Sequence, residues 1–119
     1  VKYKQLTKKN KNMNFKEYQD LTQQTAVYPK EHALSYALLG LAGEVGEVTN
    51  KYKKVLRGDK PFDDTFRENI SHEIGDVLWY VARLAEELNL NLDEIAKNNI
   101  EKLIRRKENN TIKGDGDNR

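Results

Sequence analysis

The sequence predicts an all-α domain of four helices, and three observations carry the prediction. Apolar residues recur three and four apart, with no alternating run that would mark a half-buried strand. Cap residues and breakers cut this pattern into four segments. The segments are joined by short loops, as in helical bundles.

Each helix has its own justification. Asn14 with Glu17 has the form of a capping box and opens a helix that runs to about Thr25. Tyr28-Pro29 breaks it, and proline suits the first turn of the next helix. That second helix reaches about Leu56 and is stopped by "RGDKP", residues 57–61. Its core stripe reads Leu34, Leu38, Leu41, Val45, Val48 and Tyr52. The third starts at Asp63 or Asp64, both good N-cap types, and runs to about Leu88. Its stripe is Ile70, Ile74, Val77, Leu78, Val81, Leu84 and Leu88. Asn91 with Glu94 opens the fourth, which carries Leu92, Ile95, Ala96, Ile100, Leu103 and Ile104 to about Arg106.

The domain is expected at 14–107, between a basic tail at 1–13 and a disordered polar tail at 108–119. The net charge of +2 is a property of the first tail. Residues 1–13 hold five lysines and no acid, so the remainder has 16 basic against 19 acidic residues. A nucleic-acid domain would concentrate cations on a structured face, so no stable nucleic-acid partner is expected. The tail precedes Met13, the single methionine, and reads as an upstream extension of the true start or as an alternative-start product. The absence of cysteine excludes disulfides, thiolate metal sites and cysteine nucleophiles. No apolar run approaches the ~20 residues of a membrane span and no signal-peptide pattern opens the chain. A cytoplasmic protein with no membrane partner is expected.

The two middle helices carry the chemistry. "LGLAGEVGEV", residues 39–48, places Gly40, Gly43 and Gly46 inside a helix, where each costs about 1 kcal/mol relative to alanine. Glu44, Glu47, Lys51 and Lys54 form one stripe beside the core face. Glu73, Asp76, Tyr80 and Arg83 repeat that spacing on the third helix. Locally, "EVGEV" at 44–48 matches "EIGDV" at 73–77, an internal pseudo-repeat. Two acids three apart share a helix face, so antiparallel packing would bring the pairs together. Four converging carboxylates cannot all stay ionised in a partly dry site without cations. Mg²⁺ is the natural compensation, with oxygen ligands and positions left for water or phosphate. The lysines and the arginine would then suit a polyphosphate. The competing reading is a solvated face with ordinary ion pairs. Gly43, Gly46 and Gly75 would make room for a ligand or for a closely packed helix.

"GLAGEVGEV", "ENISHEIGDVLWYVARLAEEL" and "NIEKLIRR" resemble the MazG-like, all-α nucleoside triphosphate pyrophosphohydrolases, the relatives of dCTP pyrophosphatases and dimeric dUTPases. The likeness spans about Tyr28 to Arg106. The family pattern is E-E-x-x-E, a gap, then E-x-x-D. Its acids fall on Glu44, Glu47, Glu73 and Asp76, while Gly43 stands in the first position. That departure is shared by the dCTP-pyrophosphatase-like branch. The resemblance implies hydrolysis of a nucleoside triphosphate between its α and β phosphates, with pyrophosphate released. It implies Mg²⁺, with Mn²⁺ as substitute, held by the four acids. It also implies a bundle completed by oligomerisation as a homodimer or homotetramer.

The residues expected to bind substrate are Lys51, Lys54, Tyr80, Asn99, Lys102 and His32. Tyr80 would stack on the base or touch the sugar, and Lys102 would reach a terminal phosphate. Each has a plain alternative as a helix-flank or surface residue. Trp79 points away from the third helix's core stripe, which suggests a subunit interface. The rival from another class is a helical interaction module that has kept the scaffold and lost catalysis.

Overall fold

A computed structural model describes residues 12–117, and residues 1–11 of the lysine-rich tail lie outside it. The described residues form four helices: α1 (Phe15–Thr22), α2 (Ala33–Leu56), α3 (Asp64–Glu87) and α4 (Leu92–Glu108). Short 3-10 turns at Gln23–Thr25 and Lys30–His32 separate α1 from α2. There is no strand among the described residues, and none of the helices is long and apolar enough to cross a membrane.

The ends follow from cap chemistry. Asn14, Asp63 and Asn91 each accept a first-turn backbone N–H through the side chain, as N-caps do. Gly58 ends α2 at φ 86°. There its N–H reaches the Val55 carbonyl at 3.0 Å and the Asp59 N–H reaches that of Lys54 at 2.9 Å, a Schellman motif. Asn89 and Asn110 end α3 and α4 in the same way at positive φ.

α2 and α3 form an antiparallel hairpin. Tyr52 meets Phe66 at one end and Tyr36 meets Tyr80 at the other. α1 lies on α3, and its buried Gln19 ties it to the next turn. The Gln19 amide donates to Glu86 and to the Leu90 carbonyl at 2.8 and 2.9 Å, and accepts from the Leu92 N–H at 2.9 Å. The Asp93 carboxylate accepts the Phe15 N–H at 3.0 Å. α4 is therefore anchored through its first turn on α1.

The buried core is small: Ala37, Ala82, Ala85 and Leu92, with Gln19, Thr22, Arg83 and Arg106. This departs from the stripes read in the sequence. Leu34, Leu38, Val45 and Tyr52 on α2 are exposed, as are Ile74 and Leu88 on α3. On α4, Leu92 is buried while Ile95, Ile100, Leu103 and Ile104 are exposed. The cause is geometric, since α4 packs on α1 and makes no extensive contact with the hairpin. Residues 109–117 turn back on α4, where Arg106 and Lys102 reach Asp117 at 3.2 and 3.4 Å.

Trp79, expected at a subunit interface, meets residues of its own chain. Its indole N–H donates to the Thr25 hydroxyl at 2.8 Å, and its ring meets Tyr28 and Tyr80 edge-on. The segment after α1 covers this face of α3, so Trp79 finds partners within its own chain.

Candidate functional site

The hairpin brings three of the four predicted acids together. Glu44 from α2 and Glu73 and Asp76 from α3 each offer an oxygen within 4.8 Å of the others. Glu47 is exposed and outside this trio. Burial pushes the Glu44 carboxyl above its usual range, and the charges of Asp76, Glu73 and Glu47 push it the same way. Such repulsion among carboxylates is what a bound cation relieves. The donor set fits a hard divalent ion, being all oxygen and converging from two rigid helices.

Antiparallel packing sends the two stripes in opposite directions from these acids. Toward the end of α2 lie cations. Lys51 stands 3.5 Å from Glu73. Lys51 and Lys54 line a pocket of about 200 Å³ with Lys60 and Asn69. Toward the start of α2 lie aromatic rings. Tyr36 packs 5.0 Å from Tyr28 and 6.4 Å from Tyr80, and Trp79 stands 5.0 Å from Tyr80. Burial pushes the Tyr80 hydroxyl up, and Tyr36, Glu44 and Asp76 add to it.

The glycines divide into two kinds. A Cβ built on Gly40 would overlap the Tyr80 ring, so this glycine lets Tyr80 lie against α2. A Cβ on Gly43, Gly46 or Gly75 would meet nothing within 4 Å. Packing within this chain does not require those three.

Arg83, read as a cation of the site, is committed elsewhere. It is 2% exposed. Its guanidinium donates to Tyr28, Thr22 and Gln23 at 3.0, 3.2 and 2.9 Å, and pairs with Glu87 at 3.4 Å. It holds the segment after α1 against the hairpin. Three predicted substrate residues are not brought to the acids. His32 is exposed at the start of α2, roughly 18 Å of helix from Glu44. Asn99 and Lys102 lie on α4, beside Ile95 and Asn98, and Lys102 pairs with Asp117. Sequence reading passed over Tyr36, Lys60 and Asn69. Tyr36 precedes Gly40 by one turn, the one signal that could have picked it out.

Comparison with known proteins shows the family. A family profile described as "MazG nucleotide pyrophosphohydrolase domain" matches residues 33–111, which include the trio, both lysines and all of α4. The "Gene 37 protein" of Mycobacterium phage L5 is 42% identical over 109 residues, covering 86% of this chain and 96% of that protein. No solved structure matches the chain.

Proposed function

The chain belongs to the MazG nucleotide pyrophosphohydrolase family, and from that premise we propose that it hydrolyses nucleoside triphosphates, deoxynucleotides above all, to the monophosphate and pyrophosphate. The observation that carries this is the trio Glu44, Glu73 and Asp76, which converges from two antiparallel helices within the matched segment. These residues would hold Mg²⁺ or Mn²⁺, with Glu47 joining from one turn along the same face. When bound, the metal would polarise the α-phosphoryl oxygens and lower the pKa of an attacking water. A carboxylate of the group takes that water's proton. The new bond forms at the α-phosphorus, and the bond to the bridging oxygen breaks. Pyrophosphate leaves with the electron pair, and Lys51 and Lys54 neutralise its charge. Tyr80 and Tyr36 offer a face for the nucleoside at the other side of the acids. The reaction needs positioning and charge neutralisation more than covalent chemistry, which matches a site with no nucleophilic side chain.

The biological role that fits is control or sanitation of the cytoplasmic nucleotide pool. A homodimer or homotetramer is the working form, because the apolar stripes of α2 and α4 are largely exposed among the described residues. On α4, Asn99 and Lys102 share their helix with Ile100, Leu103 and Ile104, so assembly through that stripe would carry them toward a neighbouring site.

A screen of nucleoside triphosphates with Mg²⁺, reading pyrophosphate against orthophosphate, tests the activity. Hydrolysis in ¹⁸O-water should label the monophosphate alone. Label in orthophosphate, with a nucleoside diphosphate as partner, would mean attack at the γ-phosphate and overturn the mechanism. A second reading, the inactive interaction module, draws on Gly43 in the place of the first family acid and on Lys51 seated beside Glu73. It expects no turnover and no effect of Mg²⁺ on stability.

A further inference from the structure

We propose that Lys60, with Lys54 and Asn69, forms a terminal-phosphate pocket that favours triphosphates over diphosphates. The proposal rests on the reading above, in which the acids hold the α-phosphate.

The pocket of about 200 Å³ lies between the end of α2, the loop that follows and the first turns of α3. It adjoins the acids, because Lys51 on its wall is the residue 3.5 Å from Glu73. Lys54 and Lys60 make no ion pair among the described residues. Three ammonium groups around one small cavity repel one another, and an anion among them offsets that repulsion. The one acid on the wall, Asp63, accepts the Phe66 N–H at 2.9 Å and keeps its negative charge, so the three lysines leave the lining net positive. Asn69 adds an amide that can donate to a phosphoryl oxygen.

The residues on either side of Lys60 are held in place. Phe62 packs 5.1 Å from Phe66, which packs 6.3 Å from Tyr52, and the Arg67 guanidinium lies 5.3 Å from the Phe62 ring. Arg57 pairs with Asp59 behind it. The loop thus presents Lys60 from a tied position rather than a free one. Lys51 stands 3.5 Å from Glu73, and Lys54 lies one turn, roughly 5 Å, further along the helix. A phosphate chain that starts at the acids passes Lys51 first, and its last group arrives at Lys54 and Lys60. A diphosphate would stop short of them.

The test compares wild type, Lys60→Ala and Lys60→Arg on a deoxynucleoside triphosphate and its diphosphate with Mg²⁺. Binding of inorganic tripolyphosphate to the metal-free protein is measured beside it by calorimetry. The triphosphate-to-diphosphate ratio of kcat/KM should fall about tenfold in Lys60→Ala and recover in Lys60→Arg, since charge is what the pocket supplies. Tripolyphosphate affinity should fall by a similar factor, with the thermal melt unmoved. An unchanged ratio in an active Lys60→Ala enzyme overturns the pocket and leaves the pyrophosphohydrolase reading intact. If the wild type hydrolyses no nucleotide, that reading fails, and tripolyphosphate binding alone decides. Binding that needs Lys60 supports a site for free polyphosphate, and its absence removes the pocket.

Discussion

At the scale of single residues, the two kinds of glycine predict opposite signs. Gly40→Ala places a methyl group where the Tyr80 ring lies. Overpacking of this sort costs about 1–3 kcal/mol, more than the ~1 kcal/mol gained in helix propensity. Gly43→Ala, Gly46→Ala and Gly75→Ala meet open space, so each should stabilise the metal-free chain by up to ~1 kcal/mol. Urea unfolding of the four variants checks this, and a destabilised Gly46→Ala would show that something covers that face. Among the acids, Asp76→Asn and Glu47→Gln should each abolish turnover, beyond the roughly 10–100-fold typical of an outer-sphere partner. Circular dichroism should stay helical, and Mg²⁺ should no longer raise the melting temperature. Near-normal activity in both would remove the metal site. The acids were legible because their spacing alone puts them on one face. Gly40 was not separable from Gly43, since the difference is which side chain stands opposite.

At the scale of elements, the helix ends were the most legible part. The sequence marks Asn14, Asp63 or Asp64, and Asn91 as caps, and Asn14, Asp63 and Asn91 each accept the first-turn N–H that an N-cap serves. The stop after Leu56 is Gly58, whose left-handed backbone completes the Schellman motif. Gly58→Ala should therefore destabilise the protein by about 1–2 kcal/mol, measured by denaturant midpoint, while Asn89→Gly should stabilise it slightly. Gln19→Leu is the sharper test of how α1 is fastened. It strips partners from the Leu92 N–H and the Leu90 carbonyl, a loss of about 1–3 kcal/mol for each group left unsatisfied. Stability that does not change would mean α1 is held by other contacts. What the elements concealed was direction. Two stripes with the same order of acids and cations suggest a shared charge gradient. Antiparallel packing turns that into aromatic, acidic and basic zones in line, with Arg83 withdrawn to brace the segment after α1.

At the scale of the whole molecule, the all-α class was legible from periodicity, whereas the extent of the core was not. A periodic apolar face tells that a helix will be covered, but not whether the cover comes from its own chain. Here the apolar residues of much of α2 and most of α4 are exposed among the described residues. Light scattering at micromolar concentration should return a dimer or tetramer, and Ile100→Glu with Ile104→Glu should shift it toward monomer. A wild-type monomer would sink the assembly. The way α4 is attached has a consequence in time as well as space. Its 17 residues are held at the first turn, by Gln19 on the Leu92 N–H and by Phe15 on Asp93, and helices in proteins draw most of their stability from packing rather than from propensity. Dilution below the assembly threshold should therefore speed amide deuterium uptake in 95–108 well before the α2–α3 hairpin responds. The same segment should be the first peptide a protease releases, and adding protein should slow both processes together.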